Sequence, residues 1–429
     1  MRMRTVLMTA LAFVGLVVGA GFSTGQEVIQ YFISFGSIGI VGAVLSGVVM
    51  AVGGLVIVQL GSYFLAEDHF KVFRNVSHPV ISRFLDVSVT LTMFAMGFIM
   101  VAGAGSTLQQ HFGLPSWMGA GLMTLIVILV GQLDVDRVSS IISLVTPLVV
   151  LAVLAAFVYT MLQLPVDTSS FDEIARQSET PVRPWWLSGI NYACMNMMLA
   201  VSMSLVIGGN LPNTREARWG GFLGGLMCGL LVVMAAVLLY LRIPQVADSS
   251  VPMLTTFETI HPAAASVMVV VIFLMIFNTT IGMFYALGRR LTAERPRHNR
   301  WVFPLVCLAG YAVSFVGFST LMSYLYPVIG YVGMFMIALF VVWSVRRRVQ
   351  IVRETGRRDR IRALLTLRED PRRTYTQGHE QHLERYAGES VADDEAITGA
   401  IDVEVLKQHQ RDRSEQRDQD DTTSSTPSA

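Results

Sequence analysis

Charge is scarce in this sequence. Only 15% of its 429 residues are Asp, Glu, Lys or Arg, against about 25% in soluble domains. The net charge of +1 hides a division: residues 1–345 hold 16 Lys/Arg and 14 Asp/Glu, and residues 346–429 hold 16 and 17. Four-fifths of the chain is nearly free of charge and the last fifth is saturated with it. Cysteine is almost missing too. Cys194, Cys228 and Cys307 fall in separate apolar stretches without ligand spacing, which excludes a disulfide framework and leaves them as small core residues. No His/Cys/carboxylate cluster has metal spacing, the eight histidines are scattered, and no glycine-rich phosphate loop occurs. Soluble catalysis and ATP-driven work have no residues to carry them, and the reading is neither an enzyme nor a nucleic-acid binder.

What is abundant is apolar. Such residues make up 53% of the chain, and the mean hydropathy is +0.54. A helix needs about 20 mostly apolar residues to cross a bilayer core. Ten segments qualify, at 5–34, 38–65, 84–110, 116–131, 138–163, 186–208, 219–241, 263–288, 302–318 and 321–345, the fourth of them short. An amphipathic stretch at 252–260 precedes the eighth. The fold class is therefore an all-α polytopic membrane protein, with a transmembrane domain over 1–345 and a polar tail over 346–429. The start, "MRMRTVLMTALAFVGLVVGAGFS", has the order of a signal peptide. Apolar character resumes past residue 27, so it is read as a first span.

Loop charges orient the spans. With the N-terminus cytoplasmic, the inner loops hold thirteen Lys/Arg and the outer loops only Arg176, Arg183 and Arg242. Ten spans put both termini inside. The tail has sparse apolar residues, and "RDRSEQRDQDDTTSSTPSA" cannot bury enough surface to fold, so the tail is expected to be mostly disordered. Its first part, 346–368, mixes Arg with Ile, Leu and Val. It reads as a helix on anionic lipid or simply as a topology anchor.

The first span contains the anomaly. "VVGAGFSTGQEVIQYF", residues 17–32, puts glycines, hydroxyls and an acid where hydrocarbon is expected. Glycine costs about 1 kcal/mol against alanine in a helix, so Gly19, Ala20 and Gly21, followed by Ser23 and Thr24, mark a break. At a rise of 1.5 Å per residue, Gly19 lies about 21 Å into the span. Irregular backbone is tolerated there only inside protein or beside a wet cavity. Broken half-helices expose N–H groups that suit a carboxylate and carbonyls that suit a cation. Gly15 and Gly19 also have the spacing of close helix packing, but packing leaves Ser23, Thr24, Gln26 and Glu27 unexplained.

"VGAGFSTGQEVIQYF" resembles the opening motif of the YkvI-like bacterial membrane proteins, near the amino acid–polyamine–organocation transporters. The likeness spans residues 1 to about 345. It implies the leucine-transporter-type fold, two inverted repeats of five helices (about 5–163 and 186–345) with helices 1 and 6 broken, in a bacterial inner membrane. The chain itself fits, since helices 1–5 and 6–10 enter from opposite sides. Helix 6, "LSGINYACMNMMLAVSMSLVIGG", is polar at its centre, where Asn191 shares a face with Ser188 and Tyr192, and Tyr192 with Asn196. It has no glycine between Gly189 and Gly208, a departure from relatives that carry one at the break. Interhelical hydrogen bonding is the other reading of its asparagines.

Helix 8, "IFLMIFNTTIGMFYALGRR", carries Asn278, Thr279 and Thr280 in an apolar run. A membrane threonine often bonds back to its own helix. Adjacent threonines here also resemble the hydroxyl pair of a sodium site in this fold. By that resemblance the carbonyls of Gly15, Val18 and Ile276 join the hydroxyls of Thr279 and Thr280 around Na⁺, a hard cation suited to oxygen ligands. Glu27 is an intramembrane acid and so a functional candidate. It lies about 33 Å along the helix path, as a gate or a partner for a solute amine, or else a residue reaching outer-leaflet water. Helix 5 lacks the Lys that some proton-coupled relatives use in place of sodium.

The expected function is Na⁺-coupled symport of a small amino-acid-like solute. The expected solute-binding residues are Gly19, Ala20, Gly21, Ser23, Thr24, Glu27, Asn191, Tyr192 and Asn196. The partners are that solute and the lipid bilayer, with no cofactor beyond the coupling Na⁺. A membrane sensor using its tail, and a proton-coupled or uncoupled transporter of another solute, are the alternatives. Solute identity and oligomeric state are left open.

Overall fold

In hydrocarbon no backbone N–H or C=O can stay unpaired, so apolar runs of this length become helices. The computed structural model describes residues 2–132, 135–165, 168–292, 296–369 and 373–408. The first span comes in three pieces: α1 (Met3–Val17), α2 (Ala20–Thr24) and α3 (Gln26–Tyr31). The second is α4 (Ile38–Phe64), followed by a short α5 (His69–Val76). Next come α6 (Pro79–Phe112), α7 (Ser116–Val130) and α8 (Val135–Leu162). A short α9 (Phe171–Gln177) precedes the sixth span, α10 (Trp185–Gly209). The seventh, α11 (Thr214–Leu241), is joined through α12 (Ile243–Val246) and α13 (Pro252–Ile260) to α14 (Pro262–Leu291). Two further helices follow, α15 (Asn299–Ser314), where the ninth span is expected, and α16 (Phe318–Arg346). Helices α4, α6, α10, α11, α14 and α16 are each long and apolar enough to cross a membrane, and α1, α7 and Val150–Leu162 are shorter apolar helices.

Packing follows a repeat. Helix α4 lies on α11 and α6 on α14, while α1 packs on α11 and α10 on α4. If α10 repeats the first span and α11 repeats α4, the last two contacts are one contact made twice, as a pseudo-two-fold axis requires. The first span, α4, α10 and α11 make one bundle; α6, α7, α14 and α15 make a second body beside it. Glycines draw the bundle together. A methyl on Gly47 of α4 would stand 3.1 Å from the Gly229 Cα of α11. Gly221, Gly225 and Gly229 repeat every fourth residue, the small-residue spacing that lets two membrane helices touch. The opposite stripe of α4, Val41, Val44, Val48 and Val52, is exposed, the helical spacing of a lipid-facing surface.

Two expectations need correction. The sixth span is not broken, because α10 runs without interruption from Trp185 to Gly209. With no glycine or proline between Gly189 and Gly208, nothing interrupts its hydrogen-bond ladder.

The tail is the second. Its described part is helical: α17 (Arg348–Glu369), α18 (Gln377–Gly388) and α19 over 394–408. Ile361, Leu365, Leu383, Ile397 and Ile401 share a small core with Leu65 from the end of α4. Arg358 is buried. Its Nε donates to Glu354 Oε1 at 2.8 Å, and its other nitrogens donate to the carbonyls of Ser62 (2.7 Å) and Tyr63 (2.8 Å). Those carbonyls end α4, where helix carbonyls lack ladder partners. Composition misled because it counts charge without position: Ile361 and Leu365, or Ile397 and Ile401, fall one turn apart and face inward. These residues face protein, while Val349 and Val352 at the start of α17 are exposed. Residues 411–429, the stretch least able to fold, lie outside the described residues.

Candidate functional site

The break in the first span is where the sequence puts it. Val18 (φ −74°, ψ 87°) and Gly19 (φ −96°, ψ −175°) leave the helical region. Val18 N still bonds Val14 O at 2.8 Å, and the helix resumes when Ser23 N bonds Gly19 O at 3.3 Å. The last carbonyls of one helix and the first amides of the next are outside any ladder. Here both sets meet at one point. Gly15 lies in the last turn of α1 and Val18 in the break itself. A second interruption falls at Gly25, whose φ of +80° is a left-handed conformation natural to glycine. Thr24 shapes that turn: its hydroxyl donates to Gly21 O at 2.7 Å and accepts from Gln26 N at 3.4 Å. Ser23 is fully buried. Ala20 opens α2, and its side chain lies outside the described residues.

The eighth span meets this break. Thr279 Oγ1 lies 3.9 Å from the position of a Cβ on Gly19. Thr280, buried one residue on, donates to Ile276 O at 2.7 Å, the back-bond expected of a membrane threonine. A donating hydroxyl keeps its lone pairs, so Thr280 and Ile276 both still offer oxygen.

Glu27 is buried, 3% exposed, and Tyr192 donates to its Oε1 at 2.9 Å. The water-reaching reading of Glu27 is corrected by this. The start of α3 is covered by α13, where Met253 N stands 3.2 Å from a Cβ position on Gly25. The other carboxylate oxygen approaches Gly21, and Tyr326 Oη of α16 lies 3.1 Å from the same Cβ position. The Tyr31 and Phe32 rings pack on the Tyr192 ring, with centroids at 5.6 and 4.9 Å. Asn191 donates across to Pro327 O of α16 at 3.1 Å, and Asn196 donates back to Tyr192 O at 3.0 Å. So Asn191 is interhelical glue with a free oxygen, and Asn196 is tied to its own helix. Gln30 Nε2 donates to Ser323 Oγ at 3.1 Å. Tyr31 Oη, Tyr326 Oη, Asn191 Oδ1 and Gln30 Oε1 are buried without a hydrogen-bond partner. Such a concentration of unpaired polar atoms in a native interior calls for a ligand or water.

Sequence reasoning missed both ends of α6. At the basic end, Arg290 of α14 pairs with Asp86 and donates to His69 Nε2 at 2.9 Å, and His69 Nδ1 meets Ser202 Oγ of α10 at 2.8 Å. Burial and the neighbouring Arg290 push His69 below its ordinary pKa. At the other end, Gln110 Oε1 accepts from Val251 N at 2.9 Å and Ser249 Oγ at 3.1 Å, while its Nε2 donates to Thr255 Oγ1 at 3.0 Å. One helix is thus tied at one end to the bundle and at the other to the segment that covers α3. The available signal was an acid and a glutamine at the edges of an apolar run. A cavity of about 260 Å³ near the Gln110 end is lined by Ser106, Gln109, Ser116, Ser250, Ser319 and Thr320, and by none of the expected site residues.

A first span unwound against the eighth, between two halves in inverted register, defines a multi-pass membrane protein of the leucine-transporter-type fold. The chain is homologous to membrane proteins of the YkvI and YyaD type. It is 25% identical over 345 residues to the uncharacterized membrane protein YkvI of Bacillus subtilis (strain 168), covering 79% of this chain and 96% of that one. No family model matches the chain. Among solved structures it resembles MhsT in complex with L-phenylalanine (12% identity, 93% of this chain and 97% of that one, TM-score 0.55). It also resembles the Eremococcus coleocola manganese transporter (12% identity, 95% of each chain, TM-score 0.53).

Proposed function

We propose that the chain is a secondary-active transporter that moves a small amino-acid-like solute by alternating access, driven by Na⁺, in a bacterial inner membrane with both termini cytoplasmic. The observation that carries this is the unwound Val18–Gly19 segment facing Thr279. It joins carbonyls and amides outside the regular helix ladder with hydroxyls at membrane depth, which a merely structural helix does not need. The solute sits at the break, with the amides after Gly19 toward its carboxylate and the Glu27–Tyr192 region toward its amine. Na⁺ sits on the carbonyls of Gly15, Val18 and Ile276 and the hydroxyls of Thr279 and Thr280. Solved proteins of this fold differ in cargo, L-phenylalanine for one and manganese for another. Among the described residues no group of three His, Cys, Asp or Glu stands together, and a single carboxylate with neutral hydroxyls favours an organic solute.

The test is solute-induced thermal stabilisation of the purified chain, over a panel of amino acids, as Na⁺ is varied. Thr280→Val keeps the shape and removes one oxygen. It should weaken Na⁺ binding by about 1–3 kcal/mol, with solute affinity recovering at saturating Na⁺ because the coupling is reciprocal. A wild-type response flat in Na⁺ sinks sodium coupling. The docked tail favours a second reading, a membrane sensor with output through α17–α19. A chain ending at residue 347 that still carries solute decides for transport.

A further inference from the structure

Glu27 has too few partners for an ionised carboxylate. An ionised carboxylate presents about four acceptor positions, and here one hydrogen bond, from Tyr192 at 2.9 Å, is made. Among the described residues no Lys, Arg or His pairs with it. The titratable groups around it are Tyr31 on its own helix, Tyr192 on α10 and Tyr326 on α16, all uncharged hydroxyls. From α2, Gly21 lies against its carboxylate. A buried charge persists when paired or fully hydrogen-bonded, and otherwise neutralises. The geometry supplies what neutralisation needs. Glu27 Oε2 and Tyr326 Oη converge on the same point beside Gly21, and Tyr326 Oη has no hydrogen-bond partner among the described residues. As a neutral acid, Glu27 keeps Oε1 as acceptor for Tyr192 and gains an O–H on the side of the idle Tyr326 oxygen.

We propose that Glu27 is a proton-binding site of the transport cycle, protonated in this closed arrangement and exchanging its proton with water when α3 parts from α10 and α16. This rests on the transporter reading above. The step is one proton transfer: hydronium gives H⁺ to Oε2 and leaves as water, and the reverse occurs on release. The Na⁺ position, between the end of α1 and α14, is a separate site. Both sites act on the first span, so proton and sodium occupancy are linked through its movement.

Infrared spectroscopy of the purified full chain tests the site without any knowledge of the solute. At neutral pH the wild type should show a carboxylic-acid carbonyl band that shifts in D₂O and is missing in Glu27→Gln. Glutamine copies the size of the neutral acid, so this variant should unfold thermally near the wild type. Tyr326→Phe should move the band without removing it, and an unmoved band takes Tyr326 out of the proposal. In vesicles containing a pH-sensitive dye, an inward Na⁺ gradient with a mixture of the standard amino acids should move protons through wild type and not through Glu27→Gln. Absence of a Glu27-dependent acid band overturns the proton site and leaves the transporter reading standing. A band present in a chain that carries no amino acid overturns the transporter reading and leaves the proton site.

Discussion

Glu27 and Glu354 are both buried carboxylates, and the molecule treats them in opposite ways. Glu354, in the tail, accepts from Arg358 Nε at 2.8 Å, Ser390 Oγ at 2.6 Å and Val391 N at 3.3 Å, with Arg357 a further ion-pair partner. Glu27, in the first span, has Tyr192 alone among the described residues. Arg358 completes the contrast, since its remaining nitrogens take the carbonyls that end α4. Its burial pulls its pKa down while Glu354 opposes that pull. A buried carboxylate that closes all its own hydrogen bonds is a fastening. A buried carboxyl that leaves its capacity open is waiting for something else. A buried ion pair contributes little net stability, yet its loss is severe, so Arg358 and Glu354 specify where the tail docks more than they strengthen the fold.

The largest effect should come from making Glu354 resemble Glu27. Arg358→Met leaves the buried Glu354 carboxylate with only the more distant Arg357 as cation and takes a donor from the Ser62 and Tyr63 carbonyls, a loss of about 3–5 kcal/mol. The tail helices should then release while the spans stay folded. Amide hydrogen exchange reads this as lost protection over 348–408 with unchanged protection in α4 and α11. Protection kept throughout would mean that the apolar core around Leu65 holds the tail unaided.

The contrast also separates what the sequence could reveal from what it could not. Spans were legible because hydrocarbon admits little besides helix, and the break because Gly19, Gly21 and Gly25 crowd one stretch. The break predicted for the sixth span failed where it leaned on resemblance against the absence of glycine between Gly189 and Gly208. Glu27 and Tyr192 were both candidates, but their pairing spans 165 positions of chain and no local pattern encodes it. Tyr326 was invisible as one tyrosine in an apolar run, with Pro327 beside it the only hint. The tail was misread for the same reason: a weak apolar face of its own becomes adequate only against Leu65 and the end of α4.

Filling the space around Glu27 attacks the other side of the comparison. A leucine at Gly21 would run into the Glu27 carboxylate and Tyr326 Oη. Overpacking of this kind costs about 1–3 kcal/mol, and Gly21→Leu should abolish solute-induced thermal stabilisation while the protein still folds. Wild-type solute affinity in that variant would return the glycines to a packing role.

A gentler change distinguishes a neutral Glu27 from a charged one. Tyr192→Phe deletes the hydrogen bond to Glu27 Oε1 and keeps the ring. If Glu27 is a neutral acid, the loss is that of an ordinary hydrogen bond, about 1 kcal/mol. If it is ionised, its last donor is gone and the loss should exceed about 3 kcal/mol. Denaturant unfolding of wild type and Tyr192→Phe measures the difference, and a large loss would make Glu27 the same kind of group as Glu354.

The smallest effect concerns a third arrangement, neither fully paired nor idle. His69 stands among Arg290 of α14, Asp86 of α6, Ser202 of α10 and the nearby Asp68. Its Nε2 accepts from Arg290, so the ring is neutral there, with its proton on Nδ1 toward Ser202. Burial first, then Arg290, hold its pKa below the ordinary 6.5, and the two aspartates only partly oppose them. When this end of the molecule opens, His69 returns toward 6.5 and takes up a proton that the closed form refuses. The closed form is therefore fully favoured above 6.5 and loses ground as pH falls from there toward the lowered value. Protease or hydrogen-exchange accessibility of α5 should rise between about pH 8 and about pH 5. His69→Gln can still accept from Arg290 and donate to Ser202, and it has no proton to gain, so its accessibility should stay level over that range. A wild type as flat as His69→Gln would mean that the Arg290–Asp86 pair alone holds this end shut, a fastening of the Glu354 kind.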